Sequence, residues 1–392
     1  MTDALLHKAR VHYEQRFGKP AALAAFAPGR VEVLGNHTDY NEGYVLSAAI
    51  SCGTCFVAGR RSDSACVIAD AMHPDWETRF AADNPAPVPD PAWSNYCRGV
   101  WAKLGVPPAR RTGFNGVIAS NVPMGAGLSS SAALEMSTAL ALQALYRLRK
   151  EPLELAKIGQ AAEHEFAGVK CGLLDQITSL FGKADSLVLT DFRTLAVETV
   201  PLASHVCLLV CNTRVKHALV DSAYNERRAS CEAAAAWFRE RLPHPVRHLR
   251  DVSMVEWEEH AAAMPATAAK RSAHVIGENE RVLRGAALLR DGRLDRFGRL
   301  LFDSHASSRL NFQNSCPELD FLVDRAARTP GVLGARLSGG GFGGSCVALV
   351  EQDQAAAAGA TLARAYDAEY GAPCTVLELR PADGARLVLP GP

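Results

Sequence analysis

The chain has 392 residues, of which 48% are hydrophobic and 21% charged, and its 42 basic and 42 acidic side chains give a formal net charge of zero. This length predicts two globular domains. The balanced charge argues against nucleic acid or an anionic membrane as a partner, and no apolar stretch is long enough to span a bilayer. The 11 cysteines include a single C-x-x-C, at 52–55, and no second one to pair with it, which argues against a zinc site or disulfide framework and favours a reducing, cytoplasmic location.

The first half of the chain is predicted to combine strands and helices. Residues 3–17 form a charged amphipathic helix rather than a signal peptide. Five strand-like runs follow in a largely antiparallel or mixed sheet: "LAAFAPG", "RVEVLG", "YVLSAAI", "TCFVAG" and "ACVIAD". A loop at 82–92 precedes a helix near Trp93. The remaining elements are the strand "GFNGVIASNV", a long helix to about Arg149, helices at about 152–167 and 173–182, and a hairpin made by "SLVLTDF" and "LAVETVPL".

The composition changes near residue 200, beyond the hairpin. After the strand "VCLLVCN", long Ala-, Arg- and Glu-rich helical segments fill about 220–330. A strand–glycine loop–strand, "GARLSGGGFGGSCVALV", a helix near 354–371 and the strand "CTVLELR" complete the chain. We therefore predict two domains, at 1–203 and 204–392.

The stretch "NVPMGAGLSSSAALEMSTALAL" is the strongest signal for a ligand. Gly125 and Gly127 allow a tight turn and close approach of the backbone, and three serines, 129–131, then open a helix. A helix start suits phosphate, and hydroxyl groups there can bind phosphate oxygens or Mg²⁺. The loop has no lysine and is not a Walker A motif. An ordinary serine N-cap is the alternative interpretation.

A second candidate site is "GRVEVLGNHTDYNEG" at 29–43. His37 and Asp39 are two residues apart, so on an extended strand they would face the same side, where both could bind a sugar diol. An Asx turn leading into "YNEG" is the alternative interpretation. Glu32 points away from residue 33 and is expected to be structural.

Six motifs occur in order between about residues 24 and 350, and together they resemble those of the galactokinases within the GHMP kinases. They are "GRVEVLGNHTDYNEGYVL", "PMGAGLSSSA", "AEHEFAGVKCGLLDQITSLFG", "SAYNERRASCE", "SHASSRLNFQNSCPELD" and "LSGGGFGGSCVALV". The resemblance implies an α+β, two-domain GHMP kinase fold. Its N-terminal domain would resemble ribosomal protein S5 domain 2, its C-terminal domain would be ferredoxin-like, and the active site would lie in the cleft between them.

The resemblance also implies an activity and its residues. The reaction would be transfer of phosphate from MgATP to the anomeric hydroxyl of a sugar, with D-galactose as first choice, in a monomer or weak homo-oligomer. Arg30 and Asp175 would be catalytic, and Ser131 and Glu163 would hold Mg²⁺. The sugar would be lined by Asn36, His37, Asp39, Gly172, Asp175 and Tyr224. The triphosphate would be held by Pro123, Met124, Gly125, Ala126, Gly127, Leu128, Ser129, Ser130 and Ser131.

The residues themselves leave other interpretations open. Asp175 could be a helix N-cap or a buried salt-bridge partner, and Glu163 could be a surface acid. Trp93 and Tyr96 lie in the segment where the family contacts adenine, although core packing explains them equally well. A catalytically silent relative and a GHMP kinase acting on another alcohol rank lower, because Arg30, Asp175, the Ser131 end of the loop and the Tyr224 segment are all present.

Asn36 departs from the family pattern. The matching residue in galactokinases is usually glutamate, in "GEHTDY", where it accepts a hydrogen bond from the C6 hydroxyl of the sugar. Asparagine is neutral and both donates and accepts hydrogen bonds. Galacturonate, arabinose, an amino sugar or another hexose therefore stays open as the substrate.

Overall fold

The structure, a computed structural model, describes residues 2–216 and 220–388, without the side chains of 216 and 220–222. Within these residues, eight strands form one sheet and four form a second. None of the helices in the same ranges combines the length and the apolar character needed to cross a membrane.

The larger sheet is mixed. Its central path runs β12-β1-β2-β5-β3-β4, with β6 and β7 attached to β2, and the pairing of β3 with β5 is parallel. The strands are β1 (Leu23–Leu34), β2 (Tyr44–Arg60), β3 (Ala65–Asp70), β4 (Glu77–Ala81), β5 (Phe114–Ser120), β6 (Ser186–Asp191), β7 (Ala196–Pro201) and β12 (Arg386–Val388).

The two longest strands each merge a pair of strands that the sequence predicts separately. β1 runs through Pro28 and Gly29 with a register shift against β2, and it is buried along almost its whole length. A strand covered on both faces carries no alternation of polar and apolar residues. In the sequence, the Pro-Gly pair therefore indicates the end of a strand, whereas in the structure it marks a shift in the pairing register of one continuous strand. The prediction of two strands was wrong.

The helices of the first half agree with the sequence prediction. A π-helical turn at Glu163–Ala167 extends α4 to the predicted end of that helix, and α5 carries Asp175 in its first turn. The helices are α1 (Thr2–Phe17), α2 (Ser94–Lys103), α3 (Ser130–Leu145), α4 (Pro152–Ala162) and α5 (Leu174–Phe181).

The second half contains a four-stranded antiparallel sheet with the order β11-β8-β10-β9. Its strands are β8 (Val206–Lys216), β9 (Val332–Ser338), β10 (Gly343–Glu351) and β11 (Thr375–Leu379). Its helices are α6 (Val220–Arg239), α7 (Met254–His260), α8 (Ala266–Arg290), α9 (Leu294–Ser307), α10 (Pro317–Ala326) and α11 (Ala355–Tyr370).

The two sheets share one apolar core. Val31 and Leu46 of the first sheet belong to the same buried cluster as Leu208 and Val347 of the second. The predicted boundary at 203/204 falls in the loop between β7 and β8. The short strand β12, which the sequence did not predict, returns the end of the chain to β1. This shared core fixes the end of β1 against the glycine loop between β9 and β10.

Candidate active site

A cavity of about 610 Å³ is lined by residues from both halves of the chain. It lies beside the C-terminal part of β1, the turn that follows β1, the start of α5, the side chain of Tyr224 and the glycine loop after β9. Every residue proposed from the sequence for sugar binding or catalysis lines it: Arg30, Asn36, His37, Asp39, Gly172, Asp175 and Tyr224.

Arg30 and Asp175 form an ion pair in the wall of this cavity. Nε of Arg30 donates to Oδ1 of Asp175 at 2.7 Å, and Nη1 donates to the carbonyl oxygen of Gly127 at 2.6 Å. The hydroxyl of Ser129 donates to Oδ2 of Asp175. The guanidinium thus joins the carboxylate to the glycine-serine loop, and both groups have side chains only partly exposed.

The glycine-serine loop packs directly on β1. The backbone N–H of Arg30 donates to the carbonyl oxygen of Leu128 at 3.0 Å, and a Cβ at Gly29 would lie 2.4 Å from that oxygen. Gly125, Gly127 and Ser129 have φ values of 70°, 71° and 55°, the left-handed region that favours glycine. Ser129 makes no side-chain cap on α3, because its hydroxyl is turned to Asp175.

The residues after β1 form a turn, not an extended strand. β1 ends at Leu34, His37 has a φ of 59°, and Asp39–Asn41 is a 3₁₀ turn. The expectation that His37 and Asp39 share one face of a strand was therefore wrong: both lie in a turn, which is closed by a backbone bond from Asn41 to Thr38. Glu278 holds the turn, since its Oε1 accepts the backbone N–H groups of Gly35 and Asn36, each at 3.1 Å.

Asp39 and Gly172 meet across the cavity. A Cβ at Gly172 would lie 2.2 Å from Oδ2 of Asp39, so only glycine leaves room for the carboxylate in its present position. Asp39 forms no ion pair within the described residues. Burial is the main cause that raises the pKa of Asp39 to about 6, and the nearby carboxylates of Glu32 and Asp175 act in the same direction.

His37 is neutral and fully engaged. Burial lowers its pKa to about 4. The Nε2–H therefore donates to the carbonyl oxygen of Gly340 at 3.0 Å, and Nδ1 accepts from the hydroxyl of Tyr40 at 2.9 Å. The ring lies 5.2 Å from that of Tyr224 and 4.6 Å from that of Phe312, measured between centroids. His37 thus supports the aromatic wall of the cavity.

Asn36 is 1% exposed and its amide is held by three partners. Nδ2 donates to Oε1 of Glu32 at 2.9 Å and to the carbonyl oxygen of Gly339 at 2.7 Å. Oδ1 accepts from Nδ2 of Asn314 at 2.9 Å. Both amide hydrogens are therefore used inside the protein.

Glu32 is a cavity residue that the sequence interpretation set aside as structural. It lines the same cavity as Arg30, and Oε1 of its carboxylate accepts from Nη1 of Arg336 at 2.9 Å. A signal was present in the sequence, because Arg30 and Glu32 are two residues apart on one strand and so share a face. Residue 33, in contrast, points to the other face of the strand.

A second cavity, of about 450 Å³, lies on the other side of the glycine-serine loop. Ser130 and Ser131 line one part of it, and aromatic rings line another. Trp76 stacks on His73 with centroids 4.2 Å apart and is nearly parallel to Trp93 at 6.2 Å. The loop therefore separates a charged cavity from an aromatic one.

Glu163 lies beside Ser131 at this junction and is 4% exposed. Oε2 accepts from Sγ of Cys171 at 2.6 Å and from Nε2 of Gln176 at 3.0 Å. Burial raises the pKa of Glu163, and the charge of Asp175 raises it further. No Lys or Arg among the described residues forms an ion pair with Glu163. Its neighbour two positions on, Glu165, is exposed and pairs with Lys103 instead.

The donor set here fits a magnesium ion. A hydroxyl and a carboxylate are oxygen ligands of the kind that Mg²⁺ prefers, and the buried carboxylate lacks a compensating cation. No cluster of three or more His, Cys, Asp or Glu side chains suited to a metal occurs in the part of the chain that the structure describes. Any Mg²⁺ here would therefore depend on few protein ligands, with phosphate and water supplying the others.

Comparison with known proteins agrees with this architecture. The galactokinase galactose-binding signature matches residues 12–60, the GHMP kinases N terminal domain matches 95–183, and the GHMP kinases C terminal domain matches 286–368. A galactokinase of Roseiflexus sp. (strain RS-1) is 41% identical over 381 residues, which cover 97% of this chain and 96% of that relative.

Solved structures give the same result. The structure of Lactococcus lactis galactokinase complexed with galactose has a TM-score of 0.90 and 32% identity, covering 98% of this chain and 100% of that one. A Methanococcus jannaschii mevalonate kinase, at 16% identity and a TM-score of 0.61 over 92% of this chain and 98% of its own, shares the fold alone. The GHMP kinase fold and the kinase activity predicted from the sequence are confirmed, and the chain belongs to the galactokinase family of the GHMP kinases.

Proposed function

We propose that this kinase transfers the γ-phosphate of ATP to the anomeric hydroxyl of D-galactose, giving galactose 1-phosphate and ADP. The observation that carries the proposal is the ion pair of Arg30 and Asp175, which lies in the charged cavity and is tied to the glycine-serine loop. A sugar in that cavity would present a hydroxyl to Asp175 while the loop holds the triphosphate. The family of the chain and the galactose complex of its L. lactis relative support the choice of sugar.

Asp175 and Arg30 carry the chemistry in this proposal. Phosphoryl transfer depends mainly on positioning and on stabilising charge. The carboxylate of Asp175 accepts the hydrogen bond of the anomeric hydroxyl and points its oxygen at the γ-phosphate. The guanidinium of Arg30 fixes that carboxylate through Nε and offsets negative charge on the phosphoryl group during transfer.

The nucleotide site follows from the loop and the aromatic cavity. The backbone of Gly125–Ser130 and the start of α3 would hold the phosphates, where N–H groups and the helix dipole favour an anion. The adenine would lie among Trp76, Trp93 and Tyr96, since flat apolar surfaces suit a purine ring. Ser131 and Glu163 would hold Mg²⁺, which neutralises charge on the β- and γ-phosphates when bound.

The sugar site is proposed at Asp39, His37, Gly172, Tyr224 and Asn36. Asp39 is the strongest of these, because its carboxylate has no internal ion pair and accepts hydrogen bonds from sugar hydroxyls when ionised. The rings of His37 and Tyr224 form a wall with both apolar faces and polar atoms. Gly172 makes room for Asp39.

An assay of the purified protein tests the proposed function. The protein is incubated with MgATP and a panel of galactose, galacturonate, arabinose, galactosamine and glucose, and ADP release is followed. NMR of the product identifies the phosphorylated position. We expect galactose to give the highest kcat/KM and a 1-phosphate product. Absence of turnover above the ATPase background with every sugar, or phosphorylation at another hydroxyl, would contradict the proposal.

Acidic pH should weaken sugar use through Asp39. The pKa of this carboxyl is raised to about 6, so it is protonated at a higher pH than an ordinary aspartate and loses acceptor capacity as the pH falls through 6. We expect kcat/KM for galactose to fall by up to about tenfold per pH unit below that value. Asp39→Asn should have lower activity without this acidic limb. A wild-type profile that is flat down to pH 4.5 would contradict the assignment.

Gly172→Ala should raise KM for galactose by about tenfold, the cost of roughly one hydrogen bond to a charged group. The new Cβ would meet Oδ2 of Asp39 at 2.2 Å and force the carboxylate to move. Steady-state kinetics with each substrate varied measures this change, and KM for ATP should stay as in wild type. Gly359→Ala in α11 is the control, because α11 does not line the cavity and its Cβ would meet only side-chain carbon atoms of Val376 and Leu209, at 3.1 and 3.8 Å. Equal effects of the two substitutions would contradict the proposed contact.

Location and assembly are also proposals. All 11 cysteines are free thiols, and ten of them are buried, which supports a reducing compartment such as the cytoplasm. We propose a monomer or a weak homo-oligomer whose partners are the sugar and ATP.

A further inference from the structure

We propose that Glu32, rather than Asn36, supplies the carboxylate that recognises the sugar hydroxyl remote from the reacting anomeric oxygen. The inference rests on the proposed function and assigns a specificity residue within the same site. It starts from the bond between the two side chains, since Nδ2 of Asn36 donates to Oε1 of Glu32 at 2.9 Å. The acid that is absent at position 36 is thus present beside it, four residues earlier in the chain.

The amide of Asn36 has little capacity left for a ligand. Its two hydrogens are donated to Glu32 and to the carbonyl oxygen of Gly339, and its oxygen accepts from Asn314. A sugar hydroxyl that took either hydrogen would break an existing bond: Oε1 of Glu32 would keep only its donor from Arg336, or the carbonyl oxygen of Gly339 would lose its donor from Asn36. Asn36 therefore links Glu32 to the glycine loop and fixes the orientation of both.

One carboxylate oxygen of Glu32 is not used by the donors that hold this side chain. Both of its donors, Asn36 and Arg336, bind Oε1, and Oε2 accepts no hydrogen bond from the described residues. Glu32 is 5% exposed and is one of the residues that line the cavity. Oε2 is therefore available to a hydroxyl of the ligand.

The ion pair with Arg336 does not by itself explain why Glu32 lines the cavity. Arg336 is fully buried, and Glu32 is its ion-pair partner among the described residues. A carboxylate needed only for that pair would not have to line the cavity. Glu32 shares a strand face with Arg30, and two residues on a strand span about 7 Å, comparable to the length of a hexopyranose.

This placement selects the chemistry of the sugar. With the anomeric hydroxyl at Asp175, a hydroxyl at the far side of the ring faces Glu32. We assign it to the C6 hydroxyl, because residue 36, which holds Glu32, occupies the position that galactokinases pair with that group. A carboxylate at C6 would meet the carboxylate of Glu32 at that end of the cavity, whereas the basic residues that line it are Arg30, which is already paired with Asp175, and the exposed Lys170. A neutral hexose is therefore favoured and galacturonate is disfavoured by like-charge repulsion.

The first test uses the wild-type protein and three sugars. We measure kcat/KM for D-galactose, 6-deoxy-D-galactose and D-galacturonate. We expect the 6-deoxy sugar to be about 10- to 100-fold worse than galactose, as for loss of a hydrogen bond to a charged group. Galacturonate should be worse by about 100-fold or more. Equal use of the 6-deoxy sugar or of galacturonate would overturn the inference.

The second test moves the charge. Glu32→Gln keeps the shape and should bring galactose and the 6-deoxy sugar within about threefold of each other, because a neutral amide holds the hydroxyl weakly. Asn36→Glu alone places two carboxylates in contact and should lower Tm. The double variant Glu32→Gln/Asn36→Glu carries one carboxylate again and should recover both Tm and dependence on the 6-hydroxyl.

These outcomes distinguish an error in the role assigned to Glu32 from an error in the proposed function. Wild-type discrimination retained in Glu32→Gln would overturn the role of Glu32, even while galactose turnover upholds the proposed function. If Glu32→Gln does not fold, the comparison of three sugars in the wild type still decides whether a carboxylate faces that hydroxyl. Absence of galactose turnover in the wild type would overturn the proposed function and this inference together.

Discussion

Asp175→Asn should lower kcat by about 100- to 10,000-fold, the range typical of removing a group that handles the proton in the transition state. The amide keeps the shape of the carboxylate, so galactose and ATP should still bind. It cannot take up the proton of the anomeric hydroxyl, and its NH₂ group would face donors from Arg30 and Ser129. Single-turnover kinetics measures the chemical step, and titration calorimetry measures the affinity for each substrate.

The chain offers a closely matched control for this variant. Asp191 and Arg250 form an ion pair whose side chains are 18% and 14% exposed, against 21% and 10% for Asp175 and Arg30. Asp191→Asn removes a comparable partly buried charge outside the cavity and should lower stability while kcat stays near the wild-type value. If Asp175→Asn retains wild-type kcat, or if both variants lose activity equally, the assigned role of Asp175 is wrong.

The parts of the site that could be predicted from the sequence depend on short stretches of chain. Gly125 and Gly127 do adopt a left-handed backbone, and Ser130 does begin α3, because loop and helix signals are local. Arg30 and Asp175 are 145 residues apart, and only the order of the motifs indicated that they meet. Their contact in the structure supports the proposed catalytic pair.

The parts that could not be predicted depend on partners distant in sequence. The environment of Asn36 is made by Gly339 and Asn314, 303 and 278 residues away, so no local pattern shows that its amide is already engaged. The pairing of β12 with β1 is likewise a contact between the two ends of the chain. Burial on both faces concealed the full length of β1 by removing the alternation that marks a strand.

These distant contacts also change the meaning of the Asn36 substitution. Considered alone, an asparagine in place of glutamate suggests that the cavity has lost a negative charge. In the structure the cavity keeps a carboxylate, at Glu32, and the buried Arg336 balances it. The departure from the family pattern is therefore better described as a relocation of charge than as its loss.

Glu163→Gln should lower kcat by about 100-fold at limiting Mg²⁺, because the metal would lose its only charged protein ligand and its stabilisation of phosphate charge would weaken. The Mg²⁺ concentration for half-maximal activity should rise on the order of tenfold. Binding of ATP followed by tryptophan fluorescence, with and without Mg²⁺, gives a measurement that does not depend on turnover. The presence of Trp76 and Trp93 in the aromatic cavity makes this signal accessible.

In Glu163→Gln, thermal stability should change in the direction opposite to activity. Burial raises the pKa of Glu163, and so does the charge of Asp175, which means that the ionised carboxylate costs stability without metal at neutral pH. The neutral glutamine removes this cost, so Tm of the metal-free protein should be equal to or above the wild-type value. A variant inactivated by misfolding would instead show a lower Tm.

Glu165→Gln is the matched control for this substitution. Glu165 is two residues away on the same π-helical turn, but it is exposed and pairs with Lys103, so its loss should change neither the Mg²⁺ requirement nor kcat. The pair of variants therefore separates a ligand role from a general effect of removing acid near the site. An unchanged Mg²⁺ requirement in Glu163→Gln would show that Glu163 does not hold the metal. The same shift in Glu165→Gln would show it too, because loss of a ligand should raise the Mg²⁺ requirement only at the position of that ligand.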